Sequence, residues 1–183
     1  MKHFLMMAAL LAGTVCMAEN LLVNGDMKNS KGWVAWGAKP ADAKARAGIL
    51  TYVNEGPNGE RVLKLEDPFT DFSPYLNQFI EVGKPAGVYK LSCSLKAAAG
   101  KKVLVMLQMF GTDPATGKTT RFLGAREEVV SGTGDWRKCE FVFRGILSST
   151  KILGMAFYPQ EKSSDKSQTG SFLLTDVSLE RLP

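Results

Sequence analysis

The chain has 183 residues, of which 45% are hydrophobic and 22% are charged, with 18 glycines and 8 prolines. This is the composition of an ordinary globular protein, and it excludes an intrinsically disordered chain, a collagen and a coiled coil. The net charge of +5 comes from basic residues scattered along the sequence, which indicates a solvated surface and argues against a nucleic-acid partner.

The first 18 residues have the pattern of a secretory signal peptide. Lys2 and His3 precede an apolar run over residues 4–15, and residues 16–18 supply the small side chains near which signal peptidase cleaves. The run is shorter than the roughly 20 apolar residues that a membrane-spanning helix needs. We therefore expect cleavage near Ala18, a secreted or periplasmic protein without a membrane partner, and a single domain over residues 19–183.

Cleavage would also remove His3, the only histidine of the chain. A chain without histidine cannot build a Ser-His-Asp or Cys-His nucleophile, or a zinc or iron site with histidine ligands. Two cysteines would remain, Cys93 and Cys139, and two thiolates are too few for a thiolate zinc site. We therefore expect no cofactor and no metal, and only carboxylate, lysine or tyrosine chemistry is left for catalysis.

Short segments of alternating apolar and polar residues predict β-strands throughout the mature chain. The clearest segments are 89–96, 103–110 and 137–143. Residues 103–110 are apolar on both faces apart from Gln108, as in a central strand that is covered on two sides or that lines a groove. Similar patterns cover residues 21–24, 49–53, 62–66, 76–82, 152–158 and 171–179. Nine short strands separated by turn sequences predict an all-β fold, an antiparallel β-sandwich.

The two ends of this domain resemble a known family. Residues 20–27 (NLLVNGDM), with Gly32 and Trp33 shortly after, are similar to the opening of the carbohydrate-binding modules of families 4, 9 and 22, and residues 172–179 (FLLTDVSL) resemble their last strand. The resemblance implies a galactose-binding-like jelly roll that binds glycan on a concave face or on its loops. It also implies a partner of the kind that such modules serve, a separately encoded glycoside hydrolase or a cell-surface component.

Aromatic and amide side chains are the candidates for glycan contact, because sugar C–H faces stack on aromatic rings and sugar hydroxyls need polar partners. The candidates are Trp36, Phe69, Phe72, Tyr75, Gln108 and Tyr158. Residues 67–75 mix three aromatic residues with Asp, Ser, Thr and Pro, which predicts a glycan platform on a loop. A loop that folds its rings back onto the sandwich would have the same sequence. Trp33, Tyr89 and Trp136, at turns or strand starts, are interpreted as packing residues.

The sequence therefore predicts a secreted, non-catalytic module that binds a poly- or oligosaccharide. The alternative is a secreted structural or adhesion β-sandwich that binds no glycan. A small carboxylate-based glycosidase is less favoured, although Asp67 with Asp71 and Glu127 with Glu128 supply pairs of carboxylates. Adjacent residues of a strand point to opposite faces, so Glu127 and Glu128 cannot flank one glycosidic bond.

Cys93 and Cys139 both fall in the inward-facing set of a predicted strand. An oxidising compartment favours a disulfide between them, whereas two buried thiols would pack as small apolar side chains, and the sequence leaves both arrangements open.

Relatives of the module often hold a structural calcium ion between the N-G-D-F and D-D-V motifs. Here Lys28 and Thr175 stand where the family has Glu and Asp, so we expect no calcium at that position. Lys28 would either reach Asp176 in place of the ion or point into water.

Overall fold

A computed structural model describes residues 19–36, 49–69, 73–162 and 169–183. The predicted signal peptide and Phe72 lie outside these residues. The strands are β1 (Val34–Trp36), β2 (Leu50–Val53), β3 (Val62–Asp67), β4 (Tyr75–Glu81), β5 (Val88–Ala97), β6 (Lys102–Gly111), β7 (Arg121–Ser131), β8 (Arg137–Phe143), β9 (Ile152–Tyr158) and β10 (Gly170–Leu182). Within the described ranges, no helix has both the length and the apolar character needed to span a membrane.

The strands form two antiparallel sheets of five. The strand order is β2-β3-β10-β5-β8 in the first sheet and β1-β4-β9-β6-β7 in the second. Alternate residues of both sheets meet in one buried core, which includes Leu91, Leu95, Val105, Met155 and Phe157. This architecture confirms the predicted antiparallel β-sandwich, and it leaves an outer face on each sheet.

Residues 21–24 were predicted to be a strand, and this prediction is wrong. The Asn20 side chain accepts hydrogen bonds from the backbone N–H groups of Leu22 and Leu179, each at 3.0 Å, and Asn24 has a φ of 56°. The segment follows β10 through an isolated bridge between Asn20 and Glu180 and then turns away. Among its apolar residues, Leu22 packs into the core.

The pattern-based prediction also missed β1 and β7. Strand β1 has only three residues, too few for an alternating pattern to stand out. In β7 the pairing with β6 shifts register between Met109 and Phe110, and such a bulge moves the following residues to the opposite face. Beyond the bulge, Arg126 and Glu128 occupy core-side positions of this edge strand, so β7 shows no clear alternation of apolar and polar residues.

The N-terminal segment joins the last strand at a close backbone approach. The Val177 N–H donates a hydrogen bond to the Gly25 carbonyl at 2.7 Å, and a Cβ on Gly25 would lie 1.9 Å from the Val177 carbonyl oxygen. The motif therefore needs glycine for space, while the positive φ angles belong to Asn24 and Met27.

The three residues interpreted as packing residues do pack. Trp33 is buried, lies 6.2 Å from the Phe157 ring and donates its indole N–H to the Asn24 carbonyl. Tyr89 is buried in the core, and Trp136 is partly buried at the rim.

Candidate functional site

The outer face of the second sheet carries most of the sequence-predicted contact residues. On β6, Val105 and Leu107 face the core, whereas Leu104 and Met106 form a separate apolar cluster on the opposite side. The same alternation places every second residue of β4, β6 and β9 on this outer face. Residues that are far apart in the chain therefore meet there through strand pairing.

Four aromatic side chains form a continuous row across this outer face, which we call the aromatic strip: Trp36, Phe79, Phe110 and Phe122. Successive ring centroids are 6.1, 5.6 and 5.7 Å apart, with interplanar angles of 80°, 75° and 60°. Trp36, Phe79 and Phe122 are 47%, 47% and 56% exposed. Single exposed apolar residues are common on protein surfaces, but a contiguous exposed patch marks a binding surface.

Gly154 of β9 makes the contact between Phe79 and Phe110 possible. Strand β9 lies between β4 and β6, so a side chain at position 154 would stand between the two rings. A Cβ there would be 3.2 Å from each ring and 2.8 Å from the Gln108 side-chain oxygen. Strand β9 contributes no ring to the strip, and Gly154 leaves the space in which the rings of Phe79 and Phe110 meet across this strand.

Beside the strip lies a polar group that we call the tyrosine–amide cluster: Tyr75, Asn77, Gln108 and Tyr158. The two tyrosine rings are stacked, with centroids 4.4 Å apart and an interplanar angle of 17°. The Asn77 amide donates to the Gln108 side-chain oxygen at 3.3 Å, and the Tyr158 hydroxyl hydrogen-bonds Tyr75 and Gln108. Asn77, Gln108 and Tyr158 are buried, and Tyr75 is partly exposed.

Both tyrosines of the cluster keep their hydroxyl protons. Burial raises the pKa of Tyr158 far above its usual range, and the neighbouring Tyr75 raises it further. Burial also raises the pKa of Tyr75. Because the folded hydroxyls are neutral at and well above neutral pH, they act there as hydrogen-bond donors as well as acceptors. The Asn77 side-chain oxygen is buried and has no hydrogen-bond partner within the described ranges.

Sequence reasoning found part of this site. Trp36, Tyr75, Gln108 and Tyr158 lie together on the outer face, as their strand pairing requires. Phe69 lies elsewhere, because it is partly buried and packs against the main core. The sequence allowed this arrangement as the alternative to a glycan platform on the loop. Phe72 lies outside the described residues.

Four members of the site were missed: Phe79, Phe110, Phe122 and Asn77. The alternation of β4 contained the signal for two of them, because Asn77 and Phe79 share the outward-facing set with Tyr75. Phe110 follows Gln108 at the same spacing on β6. Phe122 lies in β7, which was not predicted as a strand.

The two adjacent glutamates of β7 lie on opposite sides of their sheet. Glu127 pairs with Met106 on the outer face, and Glu128 pairs with Val105 on the core side. This confirms that the two carboxylates cannot flank one bond. Asp67 is buried, and its side chain accepts a hydrogen bond from the Phe69 N–H at 3.0 Å, while Asp71 lies outside the described residues.

Lys28 does not reach Asp176. Its ammonium lies 3.2 Å from the Asp26 carboxylate, and its side chain is 69% exposed. Asp176 accepts a hydrogen bond from Ser94, and Thr175 donates one to the Asp26 carbonyl. No cluster of three or more metal-ligating side chains occurs among residues whose positions are described.

Comparison with known proteins identifies the fold. A scan against protein-family models finds no match, and a search of the curated proteins finds none. A solved family 61 carbohydrate-binding module in complex with β-1,4-galactotriose is 20% identical, with a TM-score of 0.56 over 90% of this chain and 100% of that chain.

Two multidomain proteins contain a similar domain. The CBM22-1–GH10 part of Clostridium thermocellum xylanase 10B, complexed with xylohexaose, is 16% identical, with a TM-score of 0.53 over 90% of this chain and 29% of that chain. The enzymatically active domain of tailspike protein 4 from bacteriophage CBA120 is 12% identical, with a TM-score of 0.60 over 89% of this chain and 21% of that chain. These likenesses confirm the predicted galactose-binding-like jelly roll of carbohydrate-binding modules.

Proposed function

We propose that this β-sandwich is a non-catalytic carbohydrate-binding module that binds a poly- or oligosaccharide on the outer face of its second sheet. The aromatic strip is the observation that carries the proposal. Three of its rings are about half exposed, and leaving such rings in water forgoes the stabilisation that burial would give. The four rings give a continuous apolar surface along which a glycan chain can lie.

The tyrosine–amide cluster offers polar contact to such a site through Tyr75, its partly exposed member, and the buried Asn77, Gln108 and Tyr158 hold Tyr75 in place by stacking and hydrogen bonds. Sugar hydroxyls need donors and acceptors at fixed positions, and ligand sites combine an apolar lining with a few placed polar groups. Gln108 links the two parts, because its side-chain oxygen lies beside Gly154 at the strip and also accepts the Asn77 hydrogen bond. Stacking on the strip would give affinity, and Tyr75, the partly exposed member of the cluster, would orient the sugar.

The solved relatives support glycan as the ligand class. The family 61 module and the xylanase fragment were both solved with linear oligosaccharides. Together with the resemblance at both ends of the chain, they favour a binding module over a structural β-sandwich without a ligand. We further propose that the protein acts outside the cytoplasm after removal of residues 1–18, beside a separately encoded glycoside hydrolase or a cell-surface component.

A glycan array followed by affinity electrophoresis of the purified protein tests the proposal. We expect Phe79→Ala to weaken binding of the selected glycan by about 1–3 kcal/mol, roughly 5- to 150-fold, because it removes the ring at the centre of the strip. The matched control is Val142→Ala, which removes a similarly exposed apolar side chain on the first sheet. The proposal fails if no glycan binds, or if both variants bind as the wild type does.

A further inference from the structure

Cys93 and Cys139 stand directly opposite each other in the first sheet. They are register partners in the antiparallel ladder of β5 and β8, and both are buried free thiols. Residues that face each other in such a ladder have Cα atoms about 4.5–5.5 Å apart, within the range of about 4.4–6.8 Å that a disulfide accepts. The register therefore places the two residues within the Cα separation that a disulfide requires.

We propose that Cys93 and Cys139 form a reversible disulfide that fastens the edge strand β8 to β5. Both side chains belong to the core-facing set of their strands, so they point to the same side of the sheet. Neither residue belongs to the proposed glycan site, so the inference is independent of the proposed function.

The two thiols have different reactivities. A hydrogen bond with Cys93 lowers the pKa of Cys139 to about 7, with a smaller contribution from Arg137. The same hydrogen bond, together with burial, raises the pKa of Cys93. Cys139 also lies on the edge strand and is the more exposed of the two, at 8% against 3%. Since the thiolate is the nucleophile, Cys139 is the thiol that reacts first.

The oxidant is a small disulfide such as oxidised glutathione. The Cys139 thiolate attacks one sulfur of the reagent, the reagent S–S bond breaks, and one glutathione thiolate leaves. Cys93 then loses its proton to solvent, and its sulfur attacks the Cys139 sulfur and displaces the second glutathione. Two protein thiols are oxidised to one disulfide, and the reagent disulfide is reduced to two thiols.

The bond would constrain the part of the chain that carries half of the aromatic strip. Strands β6 and β7, with Phe110 and Phe122, lie between the two cysteines in sequence, so the disulfide closes a long loop around them. Closing a loop of this length reduces the entropy of the unfolded chain. We expect the oxidised protein to melt roughly 5 °C or more above the reduced protein.

The test is equilibration of the folded, reduced protein with oxidised glutathione, followed by denaturation, alkylation and intact-mass measurement. With the protein prepared without residues 1–18, and therefore without Cys16, we expect a monomer that has lost two hydrogen atoms and takes up no alkylating reagent. Two alkylated cysteines at equilibrium, or a disulfide between two chains, would overturn the proposal. The wild-type protein alone gives this result, so the readout does not depend on a variant that folds.

Single variants test the order of attack. Cys93→Ser should accumulate glutathione on Cys139, because no second thiol can displace it, whereas Cys139→Ser should leave Cys93 largely unmodified over the same period. Equal modification of the two variants, each checked for cooperative melting, would contradict the assignment of Cys139 as the first nucleophile.

Discussion

Gly154 shows how one residue without a side chain can shape the proposed binding surface. It lies on a central strand, where glycine is unfavourable because it packs nothing and costs conformational entropy. Its neighbours explain its presence, because any side chain would enter the contact between Phe79 and Phe110. The aromatic strip depends on this position as much as on its own rings.

We predict that Gly154→Ala weakens glycan binding and also lowers the free energy of unfolding by roughly 1–3 kcal/mol, because the new methyl group displaces both rings and Gln108. Gly83→Ala is the matched control, since a Cβ at position 83 meets no atom within 4 Å. Isothermal titration and urea unfolding of the two variants measure both effects. Wild-type affinity in Gly154→Ala would show that the rings need not touch for binding.

At the scale of elements, the N-terminal segment, residues 20–33, is held against the last strand β10 by hydrogen bonds and core packing. It adds no strand to either sheet, yet the Asn20 side chain donates to the Val177 carbonyl, and Thr175 donates to the carbonyl of Asp26. Leu22, Met27 and Trp33 bury their side chains in the core beneath this contact. The segment that resembles the family motif therefore closes one end of the sandwich.

Gly25→Ala tests the contact between the N-terminal segment and β10. Its Cβ would overlap the Val177 carbonyl oxygen at 1.9 Å, and backbone atoms cannot move aside as a flexible side chain can. We expect the free energy of unfolding to fall by roughly 3 kcal/mol, at the upper end of the cost of overpacking, and we expect no change in glycan affinity for the molecules that remain folded. An unchanged urea midpoint would show that the segment does not hold β10.

At the scale of the whole molecule, the net charge of the chain and the charges on the outer face of the second sheet favour different ligands. A net charge of +5 attracts anionic glycans at long range. On the outer face itself, strand pairing places the carboxylates of Glu81 and Glu127, while Lys102 on the same face is paired with Glu161 at 2.8 Å. Charges separated by more than about 8 Å are largely screened at physiological ionic strength. For the glycan binding that we propose, the local carboxylates therefore favour uncharged sugars over anionic ones.

We predict that neutral oligosaccharides bind more tightly than uronate-containing ones of equal length, and that Glu127→Gln narrows this difference by about 0.5–1 kcal/mol, the scale of an exposed charge interaction. Titrations with neutral and with uronate-containing oligosaccharides at low and high salt measure the difference in binding free energy. This difference should shrink as the salt concentration rises. Glu140→Gln, on the first sheet, is the control. Tighter binding of uronates by the wild type would contradict the prediction.

The sequence by itself determined the properties that depend on local pattern. Period-two alternation identified eight of the strands, and Gln108 and Tyr158 were selected on two of them. Trp36 was selected for its place just after a Gly-Trp turn, and Tyr75 for its place in a segment rich in aromatic residues. The resemblance of the terminal motifs to carbohydrate-binding modules implied the jelly roll. The residues of these motifs by themselves indicated only a turn and a packing tryptophan.

Only the tertiary structure decided which outward-facing side chains meet. Phe79, Phe110 and Phe122 lie on three strands whose order in the sheet follows from long-range packing, and Phe79 reaches Phe110 only across Gly154 of a fourth strand. The side chain of Phe69 turned to the core because burial of its apolar surface is favourable. Alternation reports the face of one strand, whereas a binding surface is built from the neighbours of that strand, and these are chosen by the packing of the whole molecule.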